Sequence, residues 1–62
     1  MALSLRAARI DVGLTQDEAA DALGISISTL RNYEQYKTKP DIDMAFKMSE
    51  LYHRSVDDLK FF

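Results

Sequence analysis

Thr15 to Asn32 reads TQDEAADALGISISTLRN, and the reading of these residues decides the fold. Thr15 is placed to cap a helix, and Glu18 three positions on completes a capping box. Ala19, Ala20 and Leu23 then fall on one face at helical spacing. Gly24 stands where that helix must end, in a position that often requires the positive φ glycine adopts cheaply. Ile25 is apolar and suits the angle between two helices, and Ser26 is placed to cap the second of them. In that second helix Leu30 points inward, while Ser28, Arg31 and Asn32 face out. The result is two short helices set at a fixed angle by a small turn, the second with a polar outer face.

Toward the N-terminus, Met1 to Leu3 reads as a short arm or a frayed start. From about Ser4 to Val12, Leu5, Ala8, Arg9 and Val12 follow the i, i+3, i+4, i+7 spacing of an amphipathic helix. Gly13 ends it, and Leu14 is expected to pack inward ahead of Thr15. Arg9 lies on the inward stripe, where an unpaired charge is costly. The only acid on the inner part of the second motif helix is Glu34.

Toward the C-terminus, Pro40 stops any helix before it and favours an extended residue at Lys39. Asp41 is placed to cap a helix from about Ile42 to Tyr52. Ile42, Ala45, Phe46, Ser49 and Tyr52 form one apolar stripe, and Met44, Met48 and Leu51 a second, roughly opposite. A helix apolar on two sides is central to the core or touches another chain. His53 then marks a turn, since His tolerates a left-handed conformation better than most residues. Ser55 is expected to cap a last helix from Val56 to about Lys60, with Asp57 and Asp58 near its positive end. No strand-like alternation, repeat or linker is visible. The expected architecture is all-α, a compact five-helix single domain over residues 1–62 with the motif at helices 2 and 3.

A chain of 62 residues bounds the answer to one small domain. With no cysteine and a single histidine, His53, it has neither disulfides nor a thiolate metal site. No cofactor or small-molecule ligand is indicated. No apolar run approaches the ~20 residues that span a bilayer. The N-terminus reads as an amphipathic helix rather than a signal peptide, so the expected location is cytoplasmic. Nucleophilic catalysis lacks its parts, because His53 sits at a helix end without a matching nucleophile. Only Gly13 and Gly24 are present, so there is no phosphate-cradling glycine loop. The chain is not expected to be an enzyme.

The net charge of −2 counts against binding nucleic acid, but its distribution matters more than its total. Between Ala22 and Pro40, Arg31, Lys37 and Lys39 face only Glu34, a local balance of +2, which leaves −4 elsewhere. The chain is therefore polarised. Its acidic side can orient the basic side toward a phosphate backbone.

The run T-Q-x-E-A-A-x-x-L-G-I-S-x-S-T-L-x-x-Y-E, with Pro40 beyond it, resembles the helix-turn-helix of the lambdoid phage repressors and Cro proteins and of their bacterial relatives, the Xre family. The resemblance extends from about Leu5 to about Leu59. It rests on the ordered set Arg9, Gly13, Thr15, Gln16, Ala20, Gly24, Ser26, Leu30, Glu34 and Pro40. It implies a sequence-specific DNA-binding regulator, a repressor occupying a double-stranded operator as a homodimer. An arginine and a glutamate pair across the first and third helices in this family, which implies an Arg9–Glu34 pair here. The second motif helix lies in the major groove, which makes Ser26, Ile27, Ser28 and Asn32 the base-facing set. Gln16, Arg31, Lys37, Thr38 and Lys39 are the expected phosphate contacts, with Lys47 and Lys60 read as solvated charges.

Several readings stay open at this point. Ile27, where relatives often carry glutamine or arginine, either meets a thymine methyl or folds back as ordinary packing. Relatives usually have glycine two places after the glutamate, where this chain has Tyr36, so the helix runs on or the loop takes another path. Met44, Met48, Leu51, Val56, Phe61 and Phe62 offer a self-association surface, or the phenylalanines cap an undersized core. The competing function is a protein-interaction module on the same fold, such as an antitoxin or anti-repressor component.

Overall fold

The computed structural model describes residues 2–62; Met1, the start of the expected arm, lies outside the described residues. Four α-helices follow one another: α1 (Leu5–Asp11), α2 (Gln16–Leu23), α3 (Ile27–Glu34) and α4 (Ile42–Tyr52). Each is capped at its N-terminus by a short polar side chain. Ser4, Thr15, Ser26 and Asp41 accept from the backbone N–H three residues on, satisfying a donor that the helix leaves open. At Thr15 the capping box is complete. The Thr15 N–H, donating to Glu18 Oε1 at 2.9 Å, holds that carboxyl below its ordinary pKa, with the nearby Thr15 hydroxyl adding to the effect.

The fifth helix expected over Val56 to about Lys60 does not form. Val56–Asp58 makes a single 3₁₀ turn, and the Ser55 hydroxyl bonds the Asp58 carboxylate rather than a backbone N–H. The chain then extends as β2 (Leu59–Lys60), parallel to β1 (Leu3–Ser4), with Leu3 opposite Leu59 and Ser4 opposite Lys60. Pairing with β1 satisfies the backbone there while Leu59 drops into the core at 5% exposure. Leu3 is therefore paired rather than frayed. The architecture is all-α, with this two-residue pairing as the strand content among the described residues.

Leu5, Ala8, Ala19, Ala20, Leu23, Leu30, Met48, Tyr52 and Leu59 form the core. The alanines of α2 place almost no bulk between helices, so α2 is buried against its neighbours along Ala19, Ala20 and Leu23. In α4 the buried line is Ala45, Met48 and Tyr52, a single stripe rather than the two expected from the sequence. Met44 and Leu51 flank it half-buried, and Ile42 and Phe46 are left exposed. Among the described residues, no helix is long and apolar enough to cross a membrane.

Candidate nucleic-acid interface

The angle between α2 and α3 is set by three residues. Gly24 ends α2 at φ 72°, and its N–H bonds back to Ala20 and Asp21. The Ile25 N–H reaches the Ala20 carbonyl at 3.0 Å while its side chain packs against the core. Ser26 then starts α3, accepting from the Thr29 N–H at 3.1 Å and sharing a 2.9 Å hydrogen bond with the Thr29 hydroxyl. Leu30, at 0% exposure, anchors α3 from beneath. Ser28, Arg31 and Asn32, spaced i, i+3, i+4, consequently share the outer face. Ser28 and Arg31 are exposed and Asn32 half-buried.

Beneath that face runs a polar network. Arg9 Nε donates to Glu34 Oε2 at 2.6 Å and its second amino group to Glu34 Oε1 at 3.3 Å, with side chains only 8% and 3% exposed. The remaining Arg9 amino group donates to the Leu14 carbonyl at 2.8 Å. The inward charge is thus paired and further satisfied by backbone, as a buried charge requires. Gln16 Nε2 donates to Glu34 Oε1 at 3.2 Å, and Arg31 Nε donates to Gln16 Oε1 at 3.2 Å. Two expected phosphate contacts, Gln16 and Arg31, are thereby joined to each other. Tyr52 lies in the field of the pair. Burial first, and then the Glu34 carboxylate, push its phenol up to about 12, with Arg9 opposing.

Beyond α3 the helix does not run on. Tyr36 takes the left-handed conformation itself, at φ 59°. Its ring carries a hydroxyl that donates to the Lys60 carbonyl at 3.0 Å and accepts from the Leu5 N–H at 3.4 Å. The Asn32 carbonyl accepts from Lys37 N–H at 2.9 Å and from Thr38 N–H at 3.5 Å, folding the loop back on the end of α3. Lys37, Thr38 and Lys39 are all exposed there. Lys60 joins them, its ammonium 5.8 Å from the Tyr36 ring, and Lys39 sits 5.2 Å from the Phe62 ring. No local pattern singled out Lys60, because only the β1–β2 pairing carries it to this loop.

Ile27 is half-buried and packs against the core. The self-association residues are divided by the fold. Met48 is fully buried and presents nothing to a partner, a correction to its expected place on a second stripe. Met44, Leu51 and Phe61 are half-buried against the core, Val56 is half-buried, and Phe62 is 77% exposed. Ile42 and Phe46, placed by the sequence on one apolar stripe with Ala45 and Tyr52, are 69% and 54% exposed and form the outward apolar pair of α4.

Comparison with known proteins bears directly on this geometry. A family model described as helix-turn-helix matches residues 5–59. The chain belongs to the Cro/repressor-type helix-turn-helix family. Membership sets this domain among regulators rather than enzymes. The HTH-type transcriptional regulator ImmR of Bacillus subtilis is 46% identical over 55 residues, which cover 89% of this chain and 43% of ImmR. The chain thus spans less than half the length of that relative. An uncharacterised HTH-type transcriptional regulator of Archaeoglobus fulgidus is 29% identical over 62 residues, covering 100% of this chain and 89% of the relative.

Proposed function

We propose that the domain acts as a sequence-specific transcriptional regulator, a repressor that places α3 in the major groove of an operator. The observation that carries this reading is the outer face of α3. Ser28 and Asn32 have side chains that hydrogen-bond to no described residue, and the exposed Lys37–Lys39 loop adjoins them. Asn32 suits a bidentate contact to adenine, and Ser28 reaches several bases with little discrimination. Ser26 and Ile27 stand at the same helix end, but the Ser26 hydroxyl is engaged in capping and Ile27 in packing. They bound the base-facing set rather than dominate it. Arg31, Lys37, Thr38 and Lys39 supply phosphate contacts, and Gln16 belongs to the same edge. A regulator of this kind works in the cytoplasm, where its operator lies.

One such domain reads only a few base pairs, so the reading includes a homodimer on half-sites about 34 Å apart. Ile42, Phe46 and Phe62 replace Met48 at the centre of the proposed contact, with Met44, Leu51, Val56 and Phe61 behind them. The same apolar pair on α4 is the observation that favours the second reading, a module gripping another polypeptide.

Fluorescence anisotropy against duplexes from the promoter beside its own gene tests the proposal. Binding to an inverted repeat, weakened roughly 10–100-fold by Asn32→Ala and relaxed at one base pair per half-site, is expected. Indifference to every duplex, with a stoichiometric complex to a neighbouring gene product, overturns it.

A further inference from the structure

Gln16 stands at the first helical position of α2 with its amide facing two partners of opposite demand. Arg31 Nε–H needs an acceptor and the Glu34 carboxylate needs a donor. Only one orientation of the amide serves both, oxygen to Arg31 and nitrogen to Glu34, each at 3.2 Å. Glu34 is itself immobilised by Arg9, whose third donor is fixed on the Leu14 carbonyl. Orientation therefore passes outward from a buried ion pair, through a half-buried amide, to an exposed guanidinium.

We propose that Gln16 is a positioning residue for Arg31 rather than a phosphate contact through its own side chain. This rests on the DNA-binding reading given above. Tethering Arg31 by Nε leaves both terminal amino groups without a hydrogen bond to any described residue. That is the edge with which a guanidinium makes a two-pronged contact to phosphate. A guanidinium already held in place loses less side-chain freedom when the phosphate arrives. The neutral amide also stands between Arg31 and the Glu34 carboxylate. Arg31 is thereby aimed through the amide rather than by a direct ion pair with Glu34.

A double-mutant cycle reads this directly. Affinity is measured for a mixed-sequence duplex of about two helical turns at about 50 mM salt, where phosphate contacts dominate. With Arg31 present, Gln16→Ala is expected to weaken binding about 3–10-fold, the range of one lost hydrogen bond. In the Arg31→Ala and Arg31→Met backgrounds the same change is expected to have no effect, since neither side chain can donate a hydrogen bond to the amide. Equal losses in all three backgrounds would mean that Gln16 touches phosphate itself, and no loss in any would mean it positions nothing. Either result overturns the proposal. Nitrogen-15 relaxation of the Arg31 Nε–H in the free protein supplies an arm independent of DNA. Ordering in the unmodified chain that is lost in Gln16→Ala supports the tether, and equal mobility in both overturns it. If the unmodified chain ignores the duplex altogether, the DNA-binding reading fails, and the relaxation arm alone decides whether the tether exists.

Discussion

The Tyr36 hydroxyl donates to the Lys60 carbonyl at 3.0 Å across a sequence separation of 24 residues. It thereby closes the C-terminal segment against the loop that follows α3. Tyr36 holds a left-handed conformation that costs a non-glycine residue about 1–2 kcal/mol. The hydroxyl returns part of that cost, because it bonds Lys60 and also accepts from Leu5. One side chain thus fastens the start of α1, the end of α3 and β2 together.

Tyr36→Phe keeps the backbone strain and removes both hydrogen bonds. It is expected to lower stability by about 1–2 kcal/mol in urea unfolding. Tyr36→Ala and Tyr36→Gly both lose the ring, its 5.8 Å approach to the Lys60 ammonium and both hydrogen bonds, so the glycine variant, free of the left-handed strain, is expected to be the more stable of the two by about 1 kcal/mol. A glycine variant no more stable than the alanine variant would show that the left-handed turn is not where the strain lies.

The Arg9–Glu34 pair predicts a different signature. Removing one partner from a buried pair costs about 3–5 kcal/mol, a large part of the stability of so small a domain. Glu34→Leu alone is therefore expected to populate the unfolded state extensively at 37 °C by circular dichroism. Arg9→Met combined with Glu34→Leu removes both charges, and denaturant melts should show it more stable than either single change. Additive losses in the double variant would mean the two charges act independently.

Tyr52 gives the molecule an alkaline limit. Its phenol titrates near 10 in the unfolded chain and at about 12 in the folded one. Between those values the folded state holds a proton that the unfolded state has released. The associated stability is complete below pH 10 and is lost as pH rises toward 12. At 1.36 kcal/mol per pKa unit, the two-unit difference corresponds to roughly 2–3 kcal/mol. The hydroxyl is buried and finds no hydrogen-bond partner among the described residues. Tyr52→Phe is accordingly expected to be neutral or stabilising at pH 7 and to flatten this limb. Urea midpoints from pH 7 up to about 12 check both points.

Ile42 and Phe46 lie one turn apart on the solvent side of α4. Under the dimer reading, Phe46→Lys is expected to convert the chain to monomer in sedimentation equilibrium and weaken operator binding at least 10-fold, with a melting midpoint little changed at concentrations low enough for the unmodified chain to be monomeric too. Met48→Ala should instead act through the core, destabilising by about 2–5 kcal/mol. Retention of the dimer in Phe46→Lys would move the contact elsewhere.

Everything governed by neighbours in sequence could be read from the chain before any coordinates. Thr15, Ser26 and Asp41 cap as expected because a short side-chain oxygen three residues ahead of an amide is a local geometry, and Ser4, read from the sequence as the start of the helix itself, caps by the same rule. Gly24 turns because of its own missing side chain, and Leu30 points inward because of helical period. These short-range rules delivered α1 to α4, the turn between α2 and α3, and the outer face of Ser28, Arg31 and Asn32. The pairing of Arg9 with Glu34 is implied by the family resemblance, consistent with an inward charge needing a partner and Glu34 being the only acid on the inner part of the second motif helix.

What period and capping could not supply depended on contacts made at a distance. Val56 to Lys60 has the composition of a short helix, yet Leu3 and Ser4 draw its last residues into a strand. That partnership spans 56 positions and leaves no local trace. Both apolar stripes of α4 satisfy the same periodicity, and only the bodies of the other helices decide that Met48 is enclosed while Phe46 is left outside. Tyr36 adopts a conformation its own sterics disfavour because hydroxyl bonds to Leu5 and Lys60 favour it. Local chemistry chose the helices and where they begin; the energy of long-range packing and pairing chose how the C-terminal segment ends and which apolar residues remain in water.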